Sequence, residues 1–254
     1  FLVQSNQYPT GVDAALVSDS AGSKNFANAG LVWQGPGMTV TIPVGNSFAT
    51  FYHSDTLVGV HLISATASGF TPGVQPVTIG AGVPGRIRFT TPAKRLIAGE
   101  VSPTTYFLRT EDLYGNVAPV DRETRVNLGA PSIEGLFTQT LLGTWDEPLT
   151  VAIASAASGV GFYYKDKIAT PATLISVGVS ADPLYAPPSL SGQTTEMWEA
   201  VTPSSAAYFT LSHAGSGSVG APGIGVTVRA YDQFGNLATG DSVNGRYYAN
   251  PPLT

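Results

Sequence analysis

The chain has 254 residues, 43% of them hydrophobic and only 11% charged, with twelve Lys and Arg against seventeen Asp and Glu for a net charge of −5. So apolar a chain is long enough to bury one large core or two ordinary ones, which argues against disorder, and the acidic balance argues against a nucleic-acid surface or an anchor on anionic lipid. The absence of cysteine excludes disulfides, thiol catalysis and thiolate metal sites.

No run reaches the about eighteen uninterrupted apolar residues of a membrane-spanning helix, and Phe1 is followed by neither the basic region nor the apolar core of a signal peptide. Without an initiator Met, the chain reads as a mature product or a piece of something longer. A composition poor in charge and rich in Thr, Ser, Gly and Ala suits an extracellular or cell-surface protein without direct membrane insertion.

Along the chain, Met38, Val40, Ile42 and Val44 alternate with Thr39, Thr41 and Pro43, the period-two pattern of a strand with one buried face. Leu62 to Ser68, Arg86 to Thr90 and Thr105 to Thr110 follow with strand character. Leu149, Val151 and Ile153 alternate again, and Leu174 to Ser180 and Gly225 to Tyr231 complete the series, each run bounded by Gly, Pro, Asn or Asp. Helix formers gather only in Gln193 to Val201, where Pro203 limits a helix to two turns. With 29 Gly and 19 Pro marking many turns, the expected class is all-β.

The chain also repeats itself. Thr39 to Asp55 (TVTIPVGNSFATFYHSD) aligns with Thr150 to Asp166 (TVAIASAASGVGFYYKD) at an offset of 111, placing Phe51 on Phe162, Tyr52 on Tyr163 and Asp55 on Asp166. Arg109 to Ala118 (RTEDLYGNVA) aligns with Arg229 to Ala238 (RAYDQFGNLA) at an offset of 120. A period of this length suits one sandwich domain of about 100 residues rather than a solenoid turn or a propeller blade. The Pro-rich stretch Leu184 to Gln193 (LYAPPSLSGQ) reads as an interdomain connector.

These two motifs resemble bacterial immunoglobulin-like domains of the invasin and intimin type. In that family an early strand ends in a D-x-x-G-N turn, matched by Asp112, Gly115 and Asn116 and again by Asp232, Gly235 and Asn236. A later aromatic strand and Asp-containing turn look like Phe51 to Ser68 and Phe162 to Ser180, although Val117 and Leu237 stand where the family often has Pro. The resemblance implies tandem Ig-like β-sandwich domains in a stalk-like or filamentous surface protein.

In each D-x-x-G-N turn the Asp accepts backbone N–H bonds, Gly takes positive φ, and Asn tolerates a left-handed conformation. Oxygen ligation of calcium is the rival role, but it needs six to eight oxygens, and no cluster in the sequence offers more than two or three carboxylates. Phe51, Tyr52, Phe162 and Tyr163 are expected to alternate between core and surface, with exposed Tyr and Trp rings as a sugar-stacking alternative. Trp33 and Trp145 fall 112 residues apart and read as a repeated core or domain-edge ring. His53, His61 and His213 show no metal spacing and read as surface residues, and Gly215 to Gly225 reads as a loop rather than a phosphate cradle. Asp146, Glu147, Glu196 and Glu199 offer carboxylates without the spacing of a glycosidase pair. No catalytic residue, cofactor or metal is expected.

The phase of the repeat divides the chain into 1–78, the C-terminal part of an Ig-like domain, 79–185, a complete sandwich, and 186–254, a linker with the N-terminal part of another. The chain is then a window on a longer array, or copies complete one another head to tail. The expected partners are copies of itself or adjacent domains, and the expected role is structural. A carbohydrate-binding adhesin module, with surface glycans as partners, and an accessory domain of a polysaccharide-degrading enzyme are the alternatives.

Overall fold

The computed structural model describes residues 11–213, 215–220 and 223–238, and among these it is all-β. Two compact units part between Val83 and Pro84, and the short segment Glu111–Ala118 belongs with the first.

In the first unit, β1 (Val12–Ser18), β4 (Gly37–Ile42), β6 (Gly59–Thr66) and β7 (Gly73–Ile79) form an antiparallel sheet in the order β4-β1-β6-β7. A second sheet, β3-β2-β5, is made by β2 (Asn25–Asn28), β3 (Trp33–Gly35) and β5 (Phe51–Ser54). Alternation decides the faces: Met38 and Val40 turn towards the core while Thr39 and Thr41 are exposed. Leu16, Met38 and Ile63 from one sheet meet Phe26 from the other, with Val40, Phe51, Ala65 and Val77 packed around them.

The second unit holds a β-sandwich. Its strands are β8 (Arg86–Phe89), β9 (Arg95–Ile97), β10 (Tyr106–Glu111), β11 (Thr124–Gly129), β12 (Leu136–Thr138), β13 (Leu149–Ile153), β14 (Gly159–Lys165), β15 (Thr170–Val179) and β16 (Thr194–Thr202). One sheet runs β12-β14-β10-β8 and the other β13-β11-β15-β16-β9, with β9 parallel to β16. Tyr106, Leu108, Phe137, Phe162 and Tyr164 from the first meet Val126, Leu128, Val151, Ile153, Ile175 and Val177 from the second in one core. The last described strands, β17 (Tyr208–His213) and β18 (Val226–Tyr231), form an antiparallel pair.

Two expectations are corrected here. Gln193 to Val201 is not helical: the stretch becomes β16, with Met197, Glu199 and Val201 buried and Glu196 and Trp198 exposed, because the sheet edge of β15 supplies backbone partners that outweigh weak helix propensity. Nor is Leu184 to Gln193 a connector. Ala186 and Leu190 are fully buried, Arg125 N–H donates to Tyr185 C=O, and the segment links the paired strands β15 and β16. The sandwich therefore runs on to Thr202 instead of stopping at 185, and the 186–254 piece gives its first part to it.

Candidate functional site

The local structure of both D-x-x-G-N segments follows from their residue types. Asp112 N–H donates to Asn116 C=O at 2.9 Å and Gly115 N–H to Asp112 C=O at 3.1 Å; the Asp232 turn repeats these at 2.9 and 3.2 Å. Gly115 and Gly235 have φ of 89° and 88°, where a β-carbon is unfavourable. Oδ1 of Asp112 accepts the N–H groups of Tyr114 and Asn116, both at 2.9 Å, and Oδ1 of Asp232 those of Phe234 and Asn236 at the same distance.

What sequence reasoning missed is that each turn reaches away from itself. Oδ2 of Asp112 accepts Gly82 N–H at 3.0 Å and Asn116 Nδ2 at 2.9 Å, and Asn116 Nδ2 also donates to Thr56 C=O at 2.8 Å. Oδ1 of Asn116 faces Val58 N–H at 3.4 Å. In the second turn, Oδ2 of Asp232 accepts Ser204 N–H and Asn236 Nδ2 at 3.0 and 2.8 Å, Asn236 Nδ2 donates to Lys167 C=O at 2.7 Å, and its Oδ1 accepts Ala169 N–H at 2.8 Å. Thr56 and Val58 map onto Lys167 and Ala169 at the offset of 111. They lie just beyond Asp55 and Asp166, whose own Oδ1 atoms accept Leu57 and Ile168 N–H. The two repeated motifs, separate along the chain, thus meet in space twice with the same atoms. The common offset of Asp55 and Asp166 was the available signal, but a hydrogen bond from a side-chain amide to a backbone carbonyl leaves no mark on the sequence of its acceptor.

Burial works against charge on Asp112 and Asp232, but hydrogen bonds from the Asn side chain and from backbone N–H groups outweigh it and hold both carboxyls below the usual range. The carboxylates face N–H donors, an environment suited to an anionic side chain and not to a cation beside it. Among the described residues no group of three His, Asp or Glu side chains is arranged to hold a metal ion.

Packing against Gly99 adds an apolar part to the second clasp: the ring of Phe234 occupies the space a β-carbon there would need, and Phe234 joins the edge of the sandwich core.

The aromatic strands repeat as closely. Phe26 lies 6.0 Å from Phe51 and 4.9 Å from the ring of His53; Phe137 lies 5.8 Å from Phe162 and 4.8 Å from Tyr164. Phe51 is half-buried, Phe162 fully buried, Tyr163 half-buried, and Tyr52 points outward with 45% exposure. The reading of His53 and His61 as surface residues is corrected. The His53 side chain is 5% exposed because it takes the inward place held by Tyr164 in the other repeat, and His61 is buried on β6. Burial pushes the His53 imidazole below its ordinary pKa, with Asp55 opposing and His61 and Lys24 adding to the effect. His213 is exposed at the end of β17.

Trp33 is exposed on β3, and Trp145 is half-buried beneath the Lys165 ammonium, 4.1 Å from its ring centre. Asp146 and Glu147 precede β13, whereas Glu196 and Glu199 lie on β16 with β11 and β15 between them. Glu147 accepts Ala130 N–H and the buried Glu199 accepts Lys94 N–H, so these carboxylates serve separate local contacts. The described residues of Gly215 to Gly225 lie between β17 and β18 and form no strand.

No family model matches the chain, and no curated protein does. Among solved structures, domains 4 and 5 of the S-layer protein SbsC are 14% identical, with 57% of this chain and 66% of that one covered at a TM-score of 0.31. A longer portion of SbsC is 14% identical, covering 91% of this chain and 24% of that one at 0.32. A beta-glycosidase from Bacteroides vulgatus is 9% identical, covering 70% and 21% at 0.34. The chain spans less than two thirds of each of these structures.

Proposed function

We propose that this chain is a structural segment of an extracellular or cell-surface stalk or filament, built of tandem Ig-like sandwiches whose successive parts are clasped together. The observation that carries the reading is the recurrence of the same six side-chain hydrogen bonds at Asp112–Asn116 and Asp232–Asn236. A turn that only reversed the chain would need the bonds to its own backbone; the bonds to Thr56, Gly82, Lys167 and Ser204 fix it to the part of the chain ahead of it. The strand order supports the Ig-like assignment: β8-β10-β14-β12 matches an A-B-E-D sheet and β11-β15-β16 a C-F-G sheet. The reading assigns the chain no catalytic role, and its partners are adjacent domains or other copies.

The test uses the second clasp. Residual dipolar couplings measured on the full chain are expected to fit one alignment tensor for the sandwich and β17–β18, and two tensors after Asn236→Ala. Independent tumbling of β17–β18 in the unmodified chain overturns the reading.

Glycan binding is a second reading, favoured by one feature. Trp33 and Tyr52 both stand opposite Ala27 across the β3-β2-β5 sheet, exposed by 46% and 45%, while Ala27 between them is buried. Two rings on one face of a sheet suit stacking on sugar C–H faces. A glycan array probed with the chain and with Trp33→Ala tests it, and equal signals from both remove it.

A further inference from the structure

The outer face of the β12-β14 pair carries a seat for a cation. Thr138 stands opposite Tyr163 and Leu136 opposite Lys165, so Tyr163 and Lys165 share that face. The bridge between Phe137 and Asp146 sets Trp145 beside Thr138, on the far side of β12 from β14. Lys165 reaches across β12 and lays its ammonium over the indole, 4.1 Å from the ring centre, and Trp145 is half-buried beneath it.

The first unit builds the same face without the cation. Ala27 stands between Tyr52 and Trp33 as Thr138 stands between Tyr163 and Trp145. Gln34 is one extra residue bulged between Trp33 and Gly35, which is why the Trp offset is 112 where the paired strands keep 111. Lys165 has its counterpart in Ser54, opposite Asn25, and a serine side chain is too short to cross β2. Trp33 is accordingly 46% exposed. Its place is fixed all the same: Asn25 Oδ1 accepts Gly35 N–H at 2.7 Å, and Asn28 Oδ1 accepts Gly30 and Val32 N–H at 3.0 and 3.1 Å.

We propose that Trp33, flanked by Tyr52, is a docking point for a lysine side chain of a partner protein, which supplies the ammonium that Lys165 supplies to Trp145. The occupant follows from the molecule's own template, in which the matching indole is already covered by a lysine. Charge favours it as well, since a chain with a net charge of −5 attracts a cationic surface. The binding force is the pull of the electron-rich ring faces on the ammonium, for which Trp is the best aromatic partner. The inference is separate from the clasps, and it gives the face considered above for sugar stacking a different ligand.

Titration of the full chain with N-acetyl-lysine methylamide at constant ionic strength, read by NMR at the indole N–H groups, tests it. Saturable shifts are expected at Trp33 and not at Trp145, with binding about two- to fivefold tighter than that of the neutral norleucine analogue. Ser54→Lys is expected to abolish the Trp33 response by capping the ring from within, its other amide signals showing that the fold is kept. Thr39→Lys adds the same charge on the exposed side of β4 and is expected to leave the response as it was. Lys165→Ser is expected to open a second site at Trp145. Equal binding of the two analogues, an unaltered response in Ser54→Lys, or a Trp145 that stays silent in Lys165→Ser overturns the proposal. So does a response as large at Trp198, which is exposed on β16 opposite Leu174. Saturation by tetramethylammonium or by cellotetraose, but not by the lysine probe, overturns it in favour of a quaternary ammonium or a neutral sugar. None of these outcomes touches the alignment test of the clasp, so the two readings fail separately.

Discussion

The β8–β16 sandwich and the β1–β7 sheets carry the same repeat and bury it to different depths. Twenty residues form the buried core of the first, from Ile87 to Val201, against four in the second, Leu16, Phe26, Met38 and Ile63, among the described residues. Aligned positions show where the difference arises. Val151 and Phe162 are buried while Val40 and Phe51 are half-buried, although the chemistry at each pair is identical. Tyr106 and Leu108 on β10 cover the sandwich core, and no described strand holds that place beside β5. Burial here is set by neighbouring strands more than by the residue itself.

That contrast is broken or sharpened first by truncating the shared ring. Phe162→Ala is expected to cost about 4 kcal/mol, since a large fully buried side chain leaves a cavity, and Phe51→Ala about half as much because its site is already partly open. Denaturant unfolding followed by residue-resolved spectroscopy checks this. Equal losses would show that the first unit is as closed as the second.

The clasps give the next effect. Asp232→Ala leaves the N–H groups of Ser204, Phe234 and Asn236 without their carboxylate, at a cost of about 3 kcal/mol to the joint. The sign of the pH dependence follows from the depressed carboxyl. A folded pKa below the unfolded value of about 3.9 means the stabilisation is complete at neutral pH and is lost as pH falls below about 4, through the folded value. The protection of the Ala169 and Ser204 amides, taken relative to their intrinsic exchange rates, should fall over that interval and stay level from pH 5 to 7. Protection that falls above pH 5 would assign the joint to another group.

Gly115→Val should cost about 1 kcal/mol or more from the φ of 89° alone, moving the melting midpoint by several degrees. The added side chain meets no neighbour within 4 Å of its β-carbon, so the effect isolates backbone strain. A midpoint unchanged within about 1 °C would sink the turn assignment.

Such positions were legible in the sequence because local chemistry writes them: alternation in Met38 to Ile42, glycine in D-x-x-G-N, the aromatic pairs at fixed offset. The strand at Gln193 to Val201 was not, since Glu196, Met197 and Glu199 favour a helix locally and only the edge of β15 overrules them. The buried loop at Ala186 and Leu190 failed for a related reason, because Pro187 and Pro188 read alike in a linker and in a tight packed turn. The clasps were half legible: Asp and Asn mark the turn, while their partners act through backbone atoms that any residue carries.

The smallest expected effect concerns His53, which fills the place of Tyr164. Tyr164 O–H donates to Asp166 Oδ2 at 2.8 Å, whereas His53 Nε2 stays 4.0 Å from Asp55 Oδ2 and both its ring nitrogens are buried without a hydrogen bond. His53→Tyr alone is not expected to repair this. In the sandwich the Tyr164 hydroxyl passes 2.6 Å from where a β-carbon on Gly135 would stand, and the counterpart of Gly135 is Lys24. Lys24 in turn donates from Nζ to Ser18 and Ser20 C=O, both at 2.7 Å, so Lys24→Gly alone removes two bonds and destabilises. Only the double change gives a tyrosine room to reach Asp55, and a double-mutant cycle should show a favourable coupling of about 1 kcal/mol. A second readout separates this from simple repacking. A buried imidazole with a lowered pKa stabilises the first unit above the unfolded value of about 6.5, and that contribution is lost as pH falls towards the lower folded value. Removing His53 should therefore flatten the stability of β1–β7 just below pH 6.5 while leaving β8–β16 as it was. Additive single effects, or a pH profile that keeps its slope, would mean that the two repeats solve this position independently.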